Sequence, residues 1–218
     1  MKWGYPMNFD EEARAFDTAR RKERAQVIAR RIRQCVGEAR GCAMEFGCGT
    51  GLIGLELTDL FSSIIFLDSS QGMIDELRRK IAHVPNTTAI CLDLLEETPP
   101  RQRFDCIFSS MVLHHIRDTA RILAILHGLL NHGGQLIIVD LDKDDGRFHA
   151  AELDFDGHHG FGQAEMTGLL RGAGFEKIEM ETFYRSSKEI HGEEVSYSLF
   201  IASAVKPAIP CRVQEVST

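Results

Sequence analysis

The sequence predicts a single α/β domain, doubly wound, in which helices cover both faces of a parallel sheet. Short apolar runs alternate with amphipathic segments along most of the chain, which is the pattern of repeated strand–helix units. A length of 218 residues is sufficient for one substantial core. Turn-forming residues separate the segments at Gly41, Pro85-Asn86, Pro99-Pro100 and Gly133-Gly134.

The predicted elements begin with a long helical pattern from about Asp10 to Val36. Apolar runs then predict strands at Cys42–Phe46, Ser63–Leu67, Thr87–Cys91, Phe104–Ser109 and Gln135–Asp140. Between these runs, amphipathic spacing predicts helices near Gly51–Leu60, Gly72–Ile81 and Asp118–Leu130.

The C-terminal part departs from this alternation. A helix near Gln163–Ala173 leads through Gly174 to two long, partly alternating segments, Phe175–Phe183 and Val195–Val205. Because about a dozen residues without a clear helical pattern separate them, these segments predict an antiparallel pair that closes one edge of the sheet. We expect a flexible tail over residues 207–218.

Composition favours a soluble globular protein. Hydrophobic residues make up 44% and charged residues 26% of the chain, and the formal net charge of −7 argues against nucleic acid as the main partner. Apolar runs fall short of the ~20 residues that span a bilayer, and Met1–Tyr5 lacks the layout of a secretory signal. We therefore expect a cytoplasmic protein that does not enter a membrane. The six cysteines show neither a CxxC pair nor zinc-ligand spacing, so no disulfide framework is expected.

Basic residues gather between Arg20 and Arg33. Apolar residues interrupt them at helical spacing, at Ala25, Val27, Ile28 and Ile32. This spacing favours the solvated side of an amphipathic helix over an RNA-binding stripe.

The most informative segment is Met44-Glu45-Phe46-Gly47-Cys48-Gly49-Thr50-Gly51, which ends the first predicted strand. Glycines let the backbone turn sharply and let a ligand approach atoms that a β-carbon would cover. The loop opens onto the next predicted helix, whose N-terminal N–H groups favour a carboxylate or a phosphate. A glycine-rich loop is weak evidence for a binding site on its own. The residues at the ends of the neighbouring strands determine how strong the evidence is.

Acidic residues stand at the ends of the next two predicted strands. Asp68 lies about twenty residues past the loop, where a carboxylate can accept hydrogen bonds from both hydroxyls of a ribose. Asp93 follows the third strand and could accept an amino group such as that of adenine. Each of these, like Glu45, could alone be an ordinary strand-end acid. All three at the carboxyl ends of successive strands, beside a glycine loop, indicate a nucleoside site.

These segments resemble the signature motifs of the class I S-adenosylmethionine-dependent methyltransferases. The glycine loop, Leu67-Asp68-Ser69-Ser70-Gln71-Gly72-Met73 and Cys91-Leu92-Asp93-Leu94 resemble the first three motifs. The fourth and fifth are matched by Phe104-Asp105-Cys106-Ile107-Phe108-Ser109-Ser110 and Gly133-Gly134-Gln135-Leu136. The resemblance covers residues 40 to 205 in the expected order, and is closest to small stand-alone methyltransferases of the methyltransferase-11/12 type.

The resemblance implies a Rossmann-like, seven-stranded sheet of order 3-2-1-4-5-7-6 with strand 7 antiparallel. It suggests an N-terminal helical cap over residues 1–38 and a cofactor-binding domain over residues 39–206. The cofactor would be S-adenosylmethionine, with Glu45 near its amino group, Asp68 at the ribose and Asp93 at the adenine. The implied cofactor contacts are Glu45, Gly47, Cys48, Gly49, Gly51, Asp68, Ser69, Met73, Asp93, Leu94 and Ser109.

A dehydrogenase that binds NAD is the natural competitor, because it also carries a glycine loop after its first strand. Its loop has the spacing G-x-G-x-x-G, whereas the third glycine here comes one residue early. The antiparallel pair of strands at the C-terminal end and the second acidic site at Asp93 also favour a methyltransferase over a dehydrogenase.

His114 and His115 follow the fourth predicted strand, at the rim where ligands of open α/β sheets bind. A methyl sulfonium is already activated, so a base is needed only if the acceptor must lose a proton. An imidazole can take that proton near neutral pH. Both are therefore candidate catalytic residues; alternatively, one packs against the following helix while the other contacts the cofactor.

A second polar group follows the fifth predicted strand and consists of His149, Glu152, Asp154, Asp156, His158 and His159. It could be a polar surface loop, it could recognise the methyl acceptor, as this region commonly does in the family, or it could bind a metal ion. Asp/His mixtures suit divalent ions, but the fixed helical spacing of metal ligands is absent. The acidic turn from Asp142 to Gly146 lacks the final glutamate of an EF-hand loop. No metal site is predicted.

Aromatic residues cluster near the N-terminus, at Trp3, Tyr5, Phe9 and Phe16. They could wall an apolar acceptor pocket, or they could pin the first helix to the domain.

Three functions follow from these observations. The first is methyl transfer to a small molecule by a monomer or homodimer. The second is a non-catalytic sensor or scaffold that binds the cofactor. The third is modification of tRNA or protein, which is less expected because Ser109-Ser110-Met111-Val112 replaces the Asn-Pro-Pro-Tyr type of signature.

Overall fold

The computed structural model describes residues 9–36, 41–152 and 155–209. Its strands are β1 Cys42–Phe46, β2 Ser63–Asp68, β3 Thr87–Cys91, β4 Phe104–Ser110, β5 Leu130–Leu141, β6 Glu176–Ile190 and β7 Glu193–Val205. Its α-helices are α1 Phe9–Glu12, α2 Ala19–Cys35, α3 Gln71–Ile81, α4 Thr119–Leu129 and α5 Gln163–Gly172. The predicted strands and most of the predicted helices are confirmed.

All seven strands form one sheet of order β3-β2-β1-β4-β5-β7-β6. Strands β1 to β5 pair in parallel, and β7 pairs antiparallel with both β5 and β6. This is the predicted order. Because β1 and β4 are neighbours while the chain runs outward from them in opposite directions, a crevice opens at their carboxyl ends, where ligands of such sheets bind.

Two apolar cores lie on the two faces of the sheet, because successive side chains of a strand point in opposite directions. Met44 and Phe46 of β1 face the core that α4 and α5 cover. Ala43 faces the core that α2 and α3 cover, where Ile28 and Ile32 are almost fully buried. Helices on both faces explain why the central strands are apolar on each side.

The predicted single helix over Asp10–Val36 was wrong in its first half. A short helix and a 3-10 turn end at Ala15, and α2 begins only at Ala19. Thr18 has extended backbone angles, and its hydroxyl accepts a hydrogen bond from the Arg21 amide, so it caps α2. The break frees the first segment to cross the end of the sheet. Trp3 and Tyr5 lie outside the described residues.

The predicted helix near Gly51–Leu60 was also wrong, since a single 3-10 turn at Gly54–Leu57 stands there. Gly51 has a φ of +78°, which interrupts a right-handed helix. A β-carbon on Gly54 would lie 2.3 Å from Glu45 Oε2, so this segment packs too closely on β1 for a regular helix.

The antiparallel pair at the C-terminal end is confirmed, but the connection between its strands is far shorter than expected. Strand β6 continues to Ile190 and meets β7 through His191 and Gly192, whose φ angles are +52° and +81°. Positive φ at both central residues is the signature of a two-residue hairpin turn. No α-helix in the described part of the chain has the length and apolar character needed to cross a bilayer.

Candidate active site

The glycine loop wraps around the carboxyl end of β2. Gly47 and Cys48 donate backbone hydrogen bonds of 2.8 and 3.1 Å to the Leu67 carbonyl. Gly47 and Gly49 have φ angles of +69° and +52°, which residues with a β-carbon rarely adopt. A β-carbon on Gly47 would lie 2.3 Å from Val112 Cγ2. The sharp turn predicted from the glycines is therefore present, and it brings bare backbone to the crevice.

Asp68 fastens this loop to the end of β2. One carboxylate oxygen accepts a 2.8 Å hydrogen bond from the Gly49 amide, and the other accepts a 2.9 Å bond from the Ser70 amide. Burial raises the pKa of Asp68, while these amides oppose the increase. A carboxylate has about four acceptor positions, so Asp68 can still accept hydrogen bonds from a ligand at the same crevice.

Glu45 lies beneath the loop and is only 2% exposed. Its Oε2 accepts a 3.2 Å hydrogen bond from the Gly54 amide. Burial raises its pKa well above the ordinary value, and the charge of Asp68 adds to the increase. The groups that shift the pKa of Glu45 include no basic side chain. Glu45 is thus a buried carboxyl group whose ionised form would be stabilised by a cation in the crevice.

The other implied cofactor contacts surround the same crevice. Cys48 and Met73 are buried, and Ser69 is exposed after β2. Asp93 follows β3, where its Oδ1 accepts a hydrogen bond from the Leu95 amide, and Leu94 is buried beside it. Ser109, at the end of β4, donates a 2.8 Å hydrogen bond to the Phe46 carbonyl. The residues named from the motifs therefore stand at the carboxyl ends of four neighbouring strands.

The segment from Phe9 to Asp17, which we call the cap segment, is held over this crevice by two aspartates. Asp10 accepts hydrogen bonds from the Ser70 hydroxyl and the Gly72 amide, at 2.6 and 2.9 Å. Asp17 accepts a 2.5 Å bond from the Thr50 hydroxyl and lies 2.6 Å from Lys80 Nζ. Burial alone would raise the pKa of Asp17, but the bonds from Lys80 and Thr50 outweigh it and lower the pKa.

The cap segment also brings an aromatic ring to the glycine loop. A β-carbon built on Gly49 would have Phe16 Cε1 and Met73 Sδ as its nearest neighbours, at 3.8 and 4.0 Å. The guanidinium of Arg21 lies over that ring, 4.1 Å from its centre, and donates a hydrogen bond to the Phe16 carbonyl. Phe16 therefore lines the space in front of Gly49. Phe9, at the other end of the cap segment, lies beside His115.

His114 is buried and paired with an aspartate that the sequence did not single out. Its Nδ1 lies 2.5 Å from Asp140 Oδ1, and its backbone amide donates to Asp140 Oδ2 at 3.2 Å. Asp140 is fully buried near the end of β5. The carboxylate fixes the ring so that Nδ1 carries the proton, which leaves Nε2 as the atom able to accept one.

His115 belongs to a stack of rings beside this pair. Its ring centre lies 4.0 Å from that of His114 and 5.9 Å from that of Phe9. His149 lies 5.1 Å from His114 and stacks face to face on Phe155 at 3.7 Å. Burial lowers the pKa of His115 to about 2 and that of His149 to about 3. Both rings are therefore neutral at physiological pH.

The second polar group divides between this ring stack and structural contacts. Glu152 is half-buried near the stack, and Asp156 forms an ion pair with Arg117. His158 holds the loop to α4, since its amide donates to the His114 carbonyl and its Nε2 lies 3.1 Å from Thr119 Oγ1. Asp154 lies outside the described residues. Among those that are described, no three potential ligands converge to hold a metal ion.

Sequence reasoning missed Asp140 and the two aspartates of the cap segment. Asp140 precedes Leu141-Asp142 in an otherwise apolar strand, and this position at a strand end is a signal that could have been used. Asp10 and Asp17 stand inside a helical pattern, where acidic residues are ordinary.

Comparison with known proteins places the chain among methyltransferases. A profile described as a methyltransferase domain matches residues 20–180. An uncharacterized methyltransferase of Schizosaccharomyces pombe is 31% identical over 153 residues, covering 63% of this chain and 54% of that protein. A malonyl-[acyl-carrier protein] O-methyltransferase of Ilyobacter polytropus is 34% identical over 95 residues, covering 43% of this chain and 35% of that protein. The chain thus matches about half or less of these relatives' length.

A solved structure has the same fold at low sequence identity. It is the phosphoethanolamine N-methyltransferase 2 of Haemonchus contortus with phosphomonomethylethanolamine and S-adenosylhomocysteine. The TM-score is 0.68 at 15% identity, over 85% of this chain and 52% of that chain. The profile match confirms the predicted family, and the strand order and this likeness confirm the predicted fold. The chain belongs to the methyltransferase domain family, in the class I S-adenosylmethionine-dependent group.

Proposed function

We propose that this chain transfers a methyl group from S-adenosylmethionine to a small-molecule acceptor. The observation that carries the proposal is the pair of carboxyl groups, Glu45 and Asp68, at the ends of adjacent strands beside a turn of bare backbone. Glu45 is buried, and within the described part of the chain no basic side chain stabilises its ionised form. The cofactor has an α-ammonium group and a ribose with two hydroxyls, which are the partners that these two carboxylates need.

Bound S-adenosylmethionine supplies an activated methyl group on a positively charged sulfur. The protein then has to align the acceptor and keep water away. The cap segment closes the crevice through Asp10 and Asp17, and Phe16 walls it. Asp93 and Leu94 would frame the adenine, while Cys48, Gly51, Ser69, Met73 and Ser109 would complete the cofactor site.

His114 would accept the proton that the acceptor loses. Asp140 holds the ring and leaves its Nε2 free to take a proton, as in other carboxylate–imidazole pairs. His115 would serve as a neutral wall of the acceptor site, because its pKa is too low for an effective base at neutral pH. The surrounding rings of Phe9, His149 and Phe155 suit a small acceptor better than a macromolecule. The phosphoethanolamine enzyme with the same fold also acts on a small molecule.

Changing Glu45→Gln should weaken binding of S-adenosylmethionine by about tenfold or more, because the buried partner of its ammonium is lost. The same change should raise the melting temperature of the free protein at neutral pH. Since the folded-state pKa of Glu45 lies above the unfolded one, the folded chain holds more protons between these values. The free energy of unfolding therefore falls as the pH rises through this window, and the glutamine avoids that loss.

Titration calorimetry and thermal melts between pH 5 and pH 8 would measure both effects. Glu96→Gln, at an exposed position after β3, is the matched control and should change neither. Unaltered cofactor affinity in Glu45→Gln would contradict the proposed site.

Changing Asp140→Asn should lower kcat by about tenfold or more and leave cofactor affinity within about twofold. The amide nitrogen can donate a hydrogen bond to Nδ1 of His114, which favours the tautomer that carries its proton on Nε2, so Nε2 can no longer accept one. Transfer would be measured with labelled cofactor and a panel of thiols, phenols, amines and carboxylates. Asp75→Asn on the exposed side of α3 is the control.

Equal losses for acceptors with and without a removable proton would exclude proton transfer through His114. Tight cofactor binding without transfer to any acceptor would indicate a sensor or scaffold instead.

A further inference from the structure

Aromatic and acidic side chains of the cap segment and of the loop after β5 lie close together beside His114 and His115. We call this group the acceptor cluster and define it by Phe9, Glu12, His149, Glu152 and Phe155. His149 is 3% exposed, and its ring stacks parallel to Phe155, with an angle of 5° between the planes. Phe9 and Phe155 flank His115 at 5.9 and 6.2 Å between ring centres. The acceptor cluster therefore combines aromatic rings with acidic groups.

Two buried polar atoms of the acceptor cluster have no hydrogen-bond partner among the described residues. They are Nδ1 of His149 and Oε2 of Glu152. Nearly all buried polar atoms in folded proteins are hydrogen-bonded, and the exceptions commonly face a ligand, a water molecule or an ion. Because His149 is neutral at physiological pH, one of its ring nitrogens is an acceptor. Glu152 is an acceptor whenever it is ionised. A ligand that donates hydrogen bonds would satisfy both.

The burial of Glu152 favours a cationic ligand. Burial raises the pKa of Glu152, and the nearby carboxylate of Glu12 adds to the increase. Lys188 and His114 act in the opposite direction but do not outweigh burial. The ammonium of Lys188 lies over the ring of Phe148, 3.5 Å from its centre. A second cation near Glu152 would relieve the cost of ionising it.

We propose that the methyl acceptor is an amine on an aromatic or apolar body, and that Glu152 and His149 bind its nitrogen. This inference rests on the proposed function and names its substrate class. An ammonium group donates up to three hydrogen bonds and is attracted to ring faces such as those of Phe9 and Phe155. A carboxylate or phosphate acceptor would instead face Glu12 and Glu152 and be repelled.

The reaction balances without a further reactant. The bound ammonium gives a proton to Glu152, because partial burial raises the pKa of this carboxylate and makes it a better base than an exposed one. The nitrogen lone pair then attacks the methyl carbon, forming the C–N bond as the C–S bond breaks. The sulfonium becomes a neutral thioether, and the positive charge passes to the methylated nitrogen. A proton of that nitrogen can leave to Nε2 of His114.

The test uses acceptors of one size that differ only in the reacting group, namely benzylamine, benzyl alcohol, phenylmethanethiol and benzoate. Binding of each to the full chain with S-adenosylhomocysteine would be followed by saturation-transfer NMR, and methyl transfer by labelled S-adenosylmethionine. We expect binding and transfer for benzylamine and little of either for benzoate. Glu152→Gln should raise KM for benzylamine by about tenfold or more and leave cofactor affinity unchanged. Glu165→Gln, at an exposed position in α5, is the matched control.

The outcomes separate the two proposals. Failure of the chain to bind S-adenosylmethionine would overturn the proposed function and the amine assignment with it. Cofactor binding with transfer to the alcohol or thiol, but not to benzylamine, would leave the proposed function intact and overturn the amine assignment. An unchanged KM for benzylamine in Glu152→Gln would also overturn it. If Glu152→Gln does not fold, His149→Phe keeps a ring stacked on Phe155 and should raise KM in the same way.

Discussion

The Asp68→Ala protein should bind S-adenosylmethionine about a hundredfold or more weaker than the unchanged chain. Two hydrogen bonds from the ribose to a charged group would be lost, each contributing roughly 1.5–3 kcal/mol, and each 1.4 kcal/mol corresponds to about a factor of ten. The loop would also loosen, because the Gly49 and Ser70 amides lose their acceptor. Titration calorimetry would measure the affinity, and thermal melts would report the loosening.

Two further variants separate these effects. Asp68→Asn keeps one acceptor oxygen and should give an intermediate affinity. Asp59→Ala removes an exposed aspartate that pairs with Arg33 and should leave the affinity unchanged. Near-normal affinity in Asp68→Ala would show that the nucleoside binds elsewhere.

The Gly49→Ala protein should lose cofactor binding by about a hundredfold while losing little more stability than a matched glycine variant. Its β-carbon would point toward Phe16 and Met73, into the space assigned to the methionine part of the cofactor. In the free protein the new methyl group meets only ordinary contacts, at 3.8 and 4.0 Å. The cost of a positive φ is roughly 1–2 kcal/mol, so the chain should still fold.

Gly133→Ala is the matched control, since Gly133 has a φ of +80° and no atom near its β-carbon position. Both variants should lose similar melting temperature, and only Gly49→Ala should lose affinity. Equal affinities by calorimetry would mean that Gly49 does not face the cofactor.

Most of the sheet could be predicted because each central strand is a short apolar run bounded by turn residues. Two runs, Cys42–Phe46 and Thr87–Cys91, have the predicted bounds. The wrong predictions arose where tertiary contacts override the local pattern of apolar and polar residues. The segment after Gly51 has helical spacing, yet close packing of Gly54 on Glu45 and Phe66 leaves only a 3-10 turn.

The length of the hairpin formed by β6 and β7 was underestimated for a related reason. Residues 184–194 are polar and lack clear alternation, so they resembled a loop. They pair because the turn at His191 and Gly192 sets the register, from Ile190 opposite Glu193 to Tyr184 opposite Leu199. The glycine in that turn was the available signal.

The residues of the proposed cofactor site could be named from the sequence because they follow strands within short motifs. The acceptor side could not be predicted in the same way, because its pairs join distant parts of the chain. His114 and Asp140 are 26 positions apart. Phe9 contacts His115 because the helical pattern is interrupted before Thr18, so that the cap segment does not continue α2. Such pairs depend on how β4, β5 and the cap segment are placed in space.

Strand β7 is the last strand of the described chain, yet it lies inside the sheet, between β5 and β6. Its residues Leu199, Phe200 and Ile201 are at most 2% exposed and contribute to both cores. On a ribosome, β6 would emerge before β7, the strand that it pairs with in the described sheet. Pairing of β6 must therefore wait until β7 has been made, and earlier intermediates would expose the open edge of β5 to chaperones or to aggregation.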